Sequence, residues 1–233
     1  MKGKRQRLLW IYGLIIICTL AGILGGNRVI TTISEGLPLE RTHRIIIDAG
    51  HGGEDGGATS CTGKLESAFN LEISLRLQDL FHFLGYETVM VRSDDRSVYT
   101  KGESLSQKKI SDLKERVRIC EETDNGILLS IHQNHFSDSR YSGPQVFFAP
   151  TEGSEGLAKT LQNELQSVLH PKSNRQIKKA KGIYLMEHIP CTGVLIECGF
   201  LSNPEEESKL RTEIYQKQMS CIIATAVCKF LDG

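Results

Sequence analysis

The sequence has no excess of positive charge, and this absence excludes one large class of function. Its 233 residues contain 28 lysines and arginines and 28 aspartates and glutamates, so the formal net charge is zero. Four of the basic residues lie within the first seven positions, which leaves the rest of the chain mildly acidic. A protein that binds nucleic acid normally presents a basic face. The composition therefore argues against nucleic acid as a partner.

Closely paired cysteines are missing as well. Cys18 lies in an apolar N-terminal segment, and the other six cysteines show no spacing of the zinc-ribbon type. Cys120, Cys221 and Cys228 fall among apolar residues of predicted helices, where a thiol behaves as a small hydrophobic group. The spacing indicates no disulfide framework but leaves room for one bridge. Internal repeats and low-complexity segments are also absent, so one globular domain is expected.

The N-terminus predicts export. The only charges among the first 26 residues are Lys2, Lys4, Arg5 and Arg7. Residues 8–25 are nearly all apolar, and a basic head before an apolar run is typical of a secretory signal. About 18 apolar residues just span a bilayer, and no clear Ala-x-Ala cleavage site follows. We therefore expect residues 1–26 to be a signal peptide or membrane anchor, residues 27–42 a tether, and residues 43–233 the functional domain.

Apolar segments with two different periods alternate along the domain. The pattern predicts strands at residues 44–48, 87–92, 127–132, 145–149, 183–186 and 194–197, and helices at 65–84, 110–121, 157–169, from Pro204 and at 214–231. Strands that alternate with helices favour an α/β fold. We expect a single domain with a central, mostly parallel, twisted sheet flanked by helices.

Four ionisable residues occupy positions where a charge is costly. His51 follows the first predicted strand, while His132 and Glu197 each end a buried strand. Glu66 lies on the apolar face of the first predicted helix. Burying an unpaired carboxylate there costs on the order of several kcal/mol. Because sites in open α/β sheets form at the carboxyl ends of strands, we expect the four side chains to meet there.

Two histidines and one carboxylate form a common catalytic zinc set, with the fourth position left for water. We therefore predict that His51, Glu66 and His132 bind Zn²⁺ and that Glu197 acts as general base in amide hydrolysis. Glu54 is an alternative ligand, since His51-x-x-Glu54 is a known zinc spacing. Glu66 is preferred because a helix fixes its side chain, whereas Glu54 lies in a glycine-rich loop.

Four sequence blocks carry a family resemblance. They are DAGHGGEDGGA (48–58), Glu66 with Asn70 and Leu71, SIHQN (130–134) and VLIECGFLSNPEE (194–206). In this order they resemble the zinc-dependent N-acetylmuramoyl-L-alanine amidases, from about residue 43 to the C-terminus. The resemblance implies the same zinc ligands, the same catalytic glutamate and peptidoglycan as substrate. It identifies residues 43–233 as the zinc amidase catalytic domain.

Three further segments are similar to the germination-specific amidases of spore formers: KKISDLKERV (108–117), the QVFF strand and NRQIKKAKG (174–182). That similarity implies a role in the spore cortex, where removal of the stem peptide lets a deacetylase complete muramic-δ-lactam. An accessory sporulation protein is a further expected partner. We expect the chain to be exported across the cytoplasmic membrane to the side of the cell wall and spore cortex. It would be either anchored in the membrane there or secreted.

The remaining predictions concern residues around this centre. Asn134, His135, Arg175 and Lys181 are predicted to contact substrate, and a solvated loop is the alternative for the basic cluster of Arg175, Lys178, Lys179 and Lys181. His135 stands where the family usually has a small residue, and we interpret it as substrate-facing rather than as a ligand. Cys198 is expected to pack in the core, and Arg92 and Arg116 to form structural ion pairs. A general cell-wall amidase, a zinc peptidase of stem peptides and a silent wall-binding module are the competing functions.

Overall fold

Six β-strands form one sheet in the computed structural model, which describes residues 41–171 and 173–233. The strands are β1 (Arg44–Ala49), β2 (Thr88–Met90), β3 (Gly126–Asn134), β4 (Gln145–Phe148), β5 (Lys178–Lys179) and β6 (Thr192–Phe200). Their order in the sheet is β2-β1-β3-β6-β4-β5. Strands β2, β1, β3 and β6 are parallel, and β4 is antiparallel to β6. The predicted mostly parallel sheet is confirmed.

Helices cover both faces of this sheet. They are α1 (Glu66–Phe83), α2 (Leu105–Glu121), α3 (Ser154–Leu169), α4 (Tyr184–His188), α5 (Pro204–Leu210) and α6 (Glu213–Leu231). Ile45 and Ile47 belong to the core under α1, α3 and α6, whereas Ile46 belongs to the core under α2 and α4. Successive strand residues point to opposite faces, so a strand covered on both sides becomes a continuous apolar run. This explains why β1 lacks polar alternation.

The strand predicted at residues 183–186 is wrong. This segment forms helix α4, in which Leu185 and Met186 are both buried, and the Glu187 carboxylate accepts a hydrogen bond from the Gly182 amide at 2.8 Å. A run of four apolar residues is too short to separate the two periodicities. The nearby strand is β5, which pairs with Phe147 and Phe148. Its exposed lysines lie on the sheet edge, where charge discourages pairing with other chains.

Helix α2 begins earlier than its apolar pattern suggests, at Leu105 rather than residue 110. Ser104 and Gln107 form a capping box, in which each side chain bonds the backbone N–H of the other residue. Such a box satisfies two amides that have no partner in the first turn. Residues 105–109, which are mostly polar, therefore belong to the helix.

The N-terminal predictions lie mostly outside the described residues. The signal or anchor at 1–26 lies wholly outside them, and only residues 41–42 of the tether are included. Within 41–171 and 173–233, no helix combines the length and the apolar character needed to cross a bilayer.

A buried ion pair ties α2 to the end of β1. Arg116 pairs with Asp48, and both side chains are at most 4% exposed. Asp48 also accepts a hydrogen bond from the Ser130 hydroxyl at 2.6 Å. Although burial opposes ionisation, the Arg116 charge and the Ser130 hydrogen bond hold the pKa of Asp48 below its usual value. Arg116 is thus the expected ion-pair partner.

Replacing Arg116 with methionine should lower the free energy of unfolding by about 3–5 kcal/mol, because Asp48 would stay buried without its counter-charge. Urea denaturation at neutral pH measures this loss. Arg118→Met is the matched control. Arg118 is half-exposed and pairs with Glu115 and Glu122 in solvent, so its loss should cost far less than that of Arg116. Equal losses in the two variants would contradict the structural role of Arg116.

Candidate active site

Three side chains from different elements converge at the carboxyl ends of β1 and β3. The His51 Nε2 atom lies 3.3 Å from Glu66 Oε1, and His132 Nδ1 lies 3.0 Å from the same oxygen. One potential ligand atom from each residue lies within 4.8 Å of the others. His51 comes from the loop after β1, Glu66 from the first turn of α1 and His132 from β3. We call these three residues the HEH cluster.

Glu66 is the most enclosed member of the HEH cluster, at 4% exposure. Its Oε2 accepts from the Ala58 amide at 3.0 Å, and its Oε1 lies 3.3 Å from Asn70 Nδ2 and 3.2 Å from the Gln133 amide. Burial opposes ionisation, but hydrogen bonds from His132 and His51 hold the pKa of Glu66 far below its usual value. The site therefore holds a rigid, ionised carboxylate.

His51 has a backbone conformation that is unusual for a residue with a side chain. Its φ is 61°, in the left-handed region, which costs on the order of 1–3 kcal/mol. Arg116 Nη2 donates to the His51 carbonyl at 2.9 Å and helps to hold this turn. On the ring, Nδ1 lies 3.1 Å from Asp55 Oδ2. A carboxylate on the distal nitrogen is the usual orienting partner of a histidine that binds metal.

Arg92 supports the same turn but is not the ion-pair partner that the sequence suggested. Its guanidinium donates to the carbonyl oxygens of Ala49 at 2.8 Å, Gly50 at 3.0 Å and Ser67 at 2.8 Å. It also donates to the Asp94 carbonyl at 2.9 Å. A fixed fork of five N–H donors suits it to collecting several carbonyl groups. Arg92 thus joins the β1 loop to the start of α1.

Two glycines leave room for the ligands to approach each other. A methyl group on Gly50 would overlap the His132 ring. Gly57 has a φ of 68°, and a Cβ there would lie 2.6 Å from Glu66 Oε2 and 2.7 Å from His51 Cδ2. The absence of a side chain at these two positions therefore admits the side chains of the HEH cluster.

Glu197 lies beside the cluster in the neighbouring strand. It pairs with His132 in the parallel register of β3 and β6, and adjacent strands lie about 4.8 Å apart. Its Oε2 is buried and has no hydrogen-bond partner among the described residues. Burial raises the pKa of Glu197 to about 7, the nearby Glu66 charge adds to this rise, and His132 opposes it. A carboxyl group that titrates near neutrality is suited to proton transfer.

The raised pKa of Glu197 predicts a pH-dependent stability of the protein after its metal has been removed by a chelator. The folded state binds this proton up to about pH 7, whereas the ordinary pKa is 4.5, so stability should fall as pH rises through this window. Glu197→Gln should therefore stabilise the metal-free protein by up to about 3 kcal/mol at pH 8 and by almost nothing near pH 4. Urea unfolding in chelator at both pH values measures the difference. Equal stabilisation at both would contradict the raised pKa.

Cys198, the residue after Glu197, lies on the opposite face of β6. It is fully buried in the core beneath α1, α3 and α6, as expected from strand alternation. Glu54, the alternative ligand, is exposed, and its carboxylate accepts hydrogen bonds from Lys108 Nζ at 2.8 and 3.0 Å. Glu54 is not a member of the HEH cluster.

The predicted substrate-binding residues occupy different surroundings. Asn134 ends β3, and His135 is exposed in the turn that follows and lies outside the HEH cluster. Lys181 is exposed just before α4. Arg175 is half-buried and donates to Gln145 Oε1 at 2.9 Å, and Gln145 pairs with Glu197 across β4 and β6. Two of the four are thus connected to the strand that carries Glu197: Asn134, which pairs with Phe200 of β6, and Arg175, through Gln145.

Two residues that contact the HEH cluster had no role predicted from the sequence: Asp55, which contacts His51, and Asn70, which contacts Glu66. Asp55 carried a weak signal, because it is a carboxylate four residues after a candidate ligand in a glycine-rich loop. Asn70 is one turn after Glu66 on the same buried helical face, and its Nδ2 also donates to the Gly50 carbonyl at 3.1 Å. An amide on an apolar stripe indicates a specific partner.

The donor set fits a zinc ion. Bonds of about 2.0–2.2 Å in a tetrahedron place ligand atoms roughly 3.3–3.6 Å apart. The two separations between histidine nitrogens and Glu66 Oε1, 3.0 and 3.3 Å, are close to this spacing. The buried Glu197 Oε2 next to the cluster has a free acceptor site, which a water held there would fill. The residues present thus fit a metal ion held by the HEH cluster.

Comparisons with known proteins show the family that this chain resembles. Residues 45–229 match the profile of the N-acetylmuramoyl-L-alanine amidase family. The chain is 35% identical to the germination-specific N-acetylmuramoyl-L-alanine amidase of Bacillus subtilis (strain 168), over 80% of this chain and 78% of the relative.

Two solved structures are also similar to this chain. The CwlD amidase from Clostridioides difficile, in complex with the GerS lipoprotein, gives a TM-score of 0.78 at 36% identity and covers 82% of this chain and 98% of that one. An N-acetylmuramoyl-L-alanine amidase from Clostridium difficile 630 gives 0.71 at 29% identity, over 83% and 99%. The similarity therefore extends over nearly the whole length of each solved chain.

Proposed function

The chain belongs to the N-acetylmuramoyl-L-alanine amidase family, and we propose that its HEH cluster holds the Zn²⁺ with which this peptidoglycan amidase works. The bond cleaved joins the lactyl group of N-acetylmuramic acid to L-alanine. The observation that carries the proposal is the convergence of two imidazoles and an ionised carboxylate next to a buried glutamate with a free acceptor atom. Asp55 and Asn70 orient the ligands.

Held by His51, Glu66 and His132, zinc would act as a Lewis acid on the amide carbonyl and would lower the pKa of the attacking water to about 7. Glu197 is the general base. Its carboxylate removes a proton from the attacking water and then delivers that proton to the leaving nitrogen of L-alanine. Glu197 suits both steps because its Oε2 is buried beside the HEH cluster and has a free acceptor site. The buried Asp48–Arg116 pair keeps the His51 turn in place during the reaction.

Digestion of purified peptidoglycan tests the proposal. The full chain loaded with zinc should release intact stem peptides whose amino terminus is L-alanine, and chelator should stop the release. Mass spectrometry of the products measures both. A zinc peptidase would instead cut within the stem and leave L-alanine on the muramic acid. Binding to peptidoglycan with no product would indicate a silent wall-binding module.

We assign this amidase more specifically to the spore cortex. The 35% identity to a germination-specific amidase supports this assignment, as does the 36% identity to a CwlD amidase. In this role the product, a muramic acid freed of its peptide, is the substrate of a peptidoglycan deacetylase that completes muramic-δ-lactam. A strain lacking this chain should make cortex without muramic-δ-lactam. Cortex with a normal content of muramic-δ-lactam would instead indicate a general cell-wall amidase.

We also propose a partner and a location for this amidase. The structure of the similar CwlD amidase contains a lipoprotein, so an accessory lipoprotein on the outer side of the membrane is the expected partner here. Peptidoglycan lies outside the cytoplasm, which requires export. Residues 1–26 would supply the signal and, if retained, the membrane anchor.

A further inference from the structure

Two aromatic side chains are exposed together at the edge of the sheet that holds the HEH cluster. Phe136 is 49% exposed and Tyr141 is 46% exposed. Their ring centroids lie 4.8 Å apart with the planes at 76°, and the Tyr141 ring stacks on Phe200 with 6.2 Å between centroids. We call Phe136, Tyr141 and Phe200 the aromatic cluster. Exposed aromatic groups that lie together mark a binding surface, whereas isolated ones need no explanation.

The aromatic cluster is close to the proposed catalytic base. Phe200 ends β6 three residues after Glu197, which is about 10 Å along an extended strand. The other two members belong to the loop between β3 and β4. The Leu201 amide donates to the Asn134 carbonyl at 2.8 Å, so the ends of β6 and β3 lie side by side. A long substrate bound at Glu197 therefore reaches the aromatic cluster.

Hydrogen bonds from the segment after β6 hold the loop that carries the two exposed rings. The Phe136 amide donates to the Ser202 hydroxyl at 3.1 Å, and Asn203 Nδ2 donates to the Tyr141 carbonyl at 3.3 Å. Both rings are thus attached to backbone that is fixed to the neighbouring segment. A ring held in this way loses little conformational freedom when it binds a ligand.

A buried carboxylate fastens the base of the aromatic cluster. Glu206 is 4% exposed, and its oxygens accept from the Gly143 amide at 2.8 Å and from the Phe200 amide at 2.9 Å. His170 Nε2 lies 2.9 Å from Glu206 Oε1. The loop that carries Tyr141 and the strand end that carries Phe200 are therefore tied to one side chain. Phe200, which is buried, forms a fixed support for the Tyr141 ring.

The charges around the aromatic cluster favour an uncharged ligand. Asp138 and Arg140 pair with each other at 2.7 Å. Arg175 donates to Gln145 Oε1 and lies over the Phe200 ring, 4.7 Å from its centroid. Each of these charges already has a partner in the fold. A stem peptide carries carboxylates, which require unpaired cations, whereas a sugar ring is neutral and presents C–H groups that stack on the negative face of an aromatic ring.

We propose that the aromatic cluster is a subsite for the glycan strand of peptidoglycan. Tyr141 and Phe136 stack on a sugar ring next to the muramic acid whose amide lies at the HEH cluster, and Phe200 supports the Tyr141 ring. This inference rests on the amidase function proposed above. The subsite holds the sugar side of the scissile bond while the stem peptide leaves. It thus selects glycan strands over isolated muramoyl peptides.

Binding of glycan strands stripped of their stem peptides tests the subsite without catalysis. In isothermal titration calorimetry of the full chain, Tyr141→Ala and Phe136→Ala should each raise the Kd by about tenfold, the loss of one aromatic contact. Tyr141→Phe keeps the ring and should bind like the wild type. Equal losses in Tyr141→Phe and Tyr141→Ala would show that the hydroxyl group makes the contact and would overturn the stacking proposal.

Phe83→Ala is the matched control, because it removes an exposed aromatic ring elsewhere. Phe83 is 86% exposed and lies at the opposite end of α1 from Glu66, roughly 25 Å along the helix axis. Its Kd for the stripped glycan should equal that of the wild type. Circular dichroism and zinc content identify any variant that has lost its fold. A folded Phe83→Ala that binds glycan as weakly as Tyr141→Ala would overturn the proposal.

Turnover separates the subsite from the amidase function itself. On glycan strands that carry stem peptides, Tyr141→Ala should raise KM by roughly tenfold while kcat falls much less. A wild-type chain that releases no stem peptide would refute the amidase function, and a glycan Kd that depends on Tyr141 would still support the subsite. An active Tyr141→Ala with the wild-type KM, or with weakened binding of free stem peptides instead of glycan, would overturn the subsite.

Discussion

Replacing Glu197 with glutamine is expected to lower kcat on peptidoglycan by about 10²- to 10⁴-fold, the usual contribution of a general acid–base group. Glutamine has nearly the same shape but cannot accept the proton. Zinc content should stay at the wild-type level, because the HEH cluster is unchanged. Released stem peptides quantified by mass spectrometry, together with elemental analysis, measure the two effects.

The control for Glu197 is Glu205→Gln, which removes an exposed carboxylate that pairs with Lys209. Its kcat should equal that of the wild type. Wild-type turnover in Glu197→Gln would remove Glu197 from its assigned role. Loss of zinc in that variant would make Glu197 a ligand rather than a base.

Removing Glu66 should have the second large effect, on metal content. Glu66→Ala deletes the carboxylate that both histidines face, so zinc affinity should fall by more than about 100-fold and activity should fall with it. Dialysis against a graded zinc buffer followed by elemental analysis measures the affinity. Glu66→Gln keeps the side-chain volume and should show a similar loss. This second variant separates the loss of charge from the loss of packing.

Glu54→Ala is the matched control for Glu66, since it removes the other candidate carboxylate. The carboxylate of Glu54 faces Lys108, so this variant should keep its zinc. Full zinc occupancy in Glu66→Ala together with loss in Glu54→Ala would transfer the third ligand position to Glu54. Circular dichroism shows whether either variant is folded, which excludes unfolding as the cause of metal loss.

The fold could be predicted from the sequence because strand and helix periods are local properties. Strand β3 appears as an apolar run, and α6 as an amphipathic stripe. The same local reasoning failed at residues 183–186, where four apolar residues fit either period. It also missed the first turn of α2, because a polar capping box carries no hydrophobic pattern.

The candidate site, like the fold, could be predicted from the sequence only in part. The sequence by itself named His51, Glu66, His132 and Glu197, because a charge on an apolar strand end or helix stripe conflicts with its local surroundings. It also supplied the family resemblance, which the comparisons confirm.

Only the tertiary structure decided which groups meet. Glu66 and His132 are 66 residues apart in sequence, yet their side chains are 3.0 Å apart. The positions of Asp55 on His51 and of Gly50 against the His132 ring follow from the packing of β1, β3 and α2. The reason is physical: periodicity reports whether a residue faces the core, but a contact depends on how separate elements pack around that core.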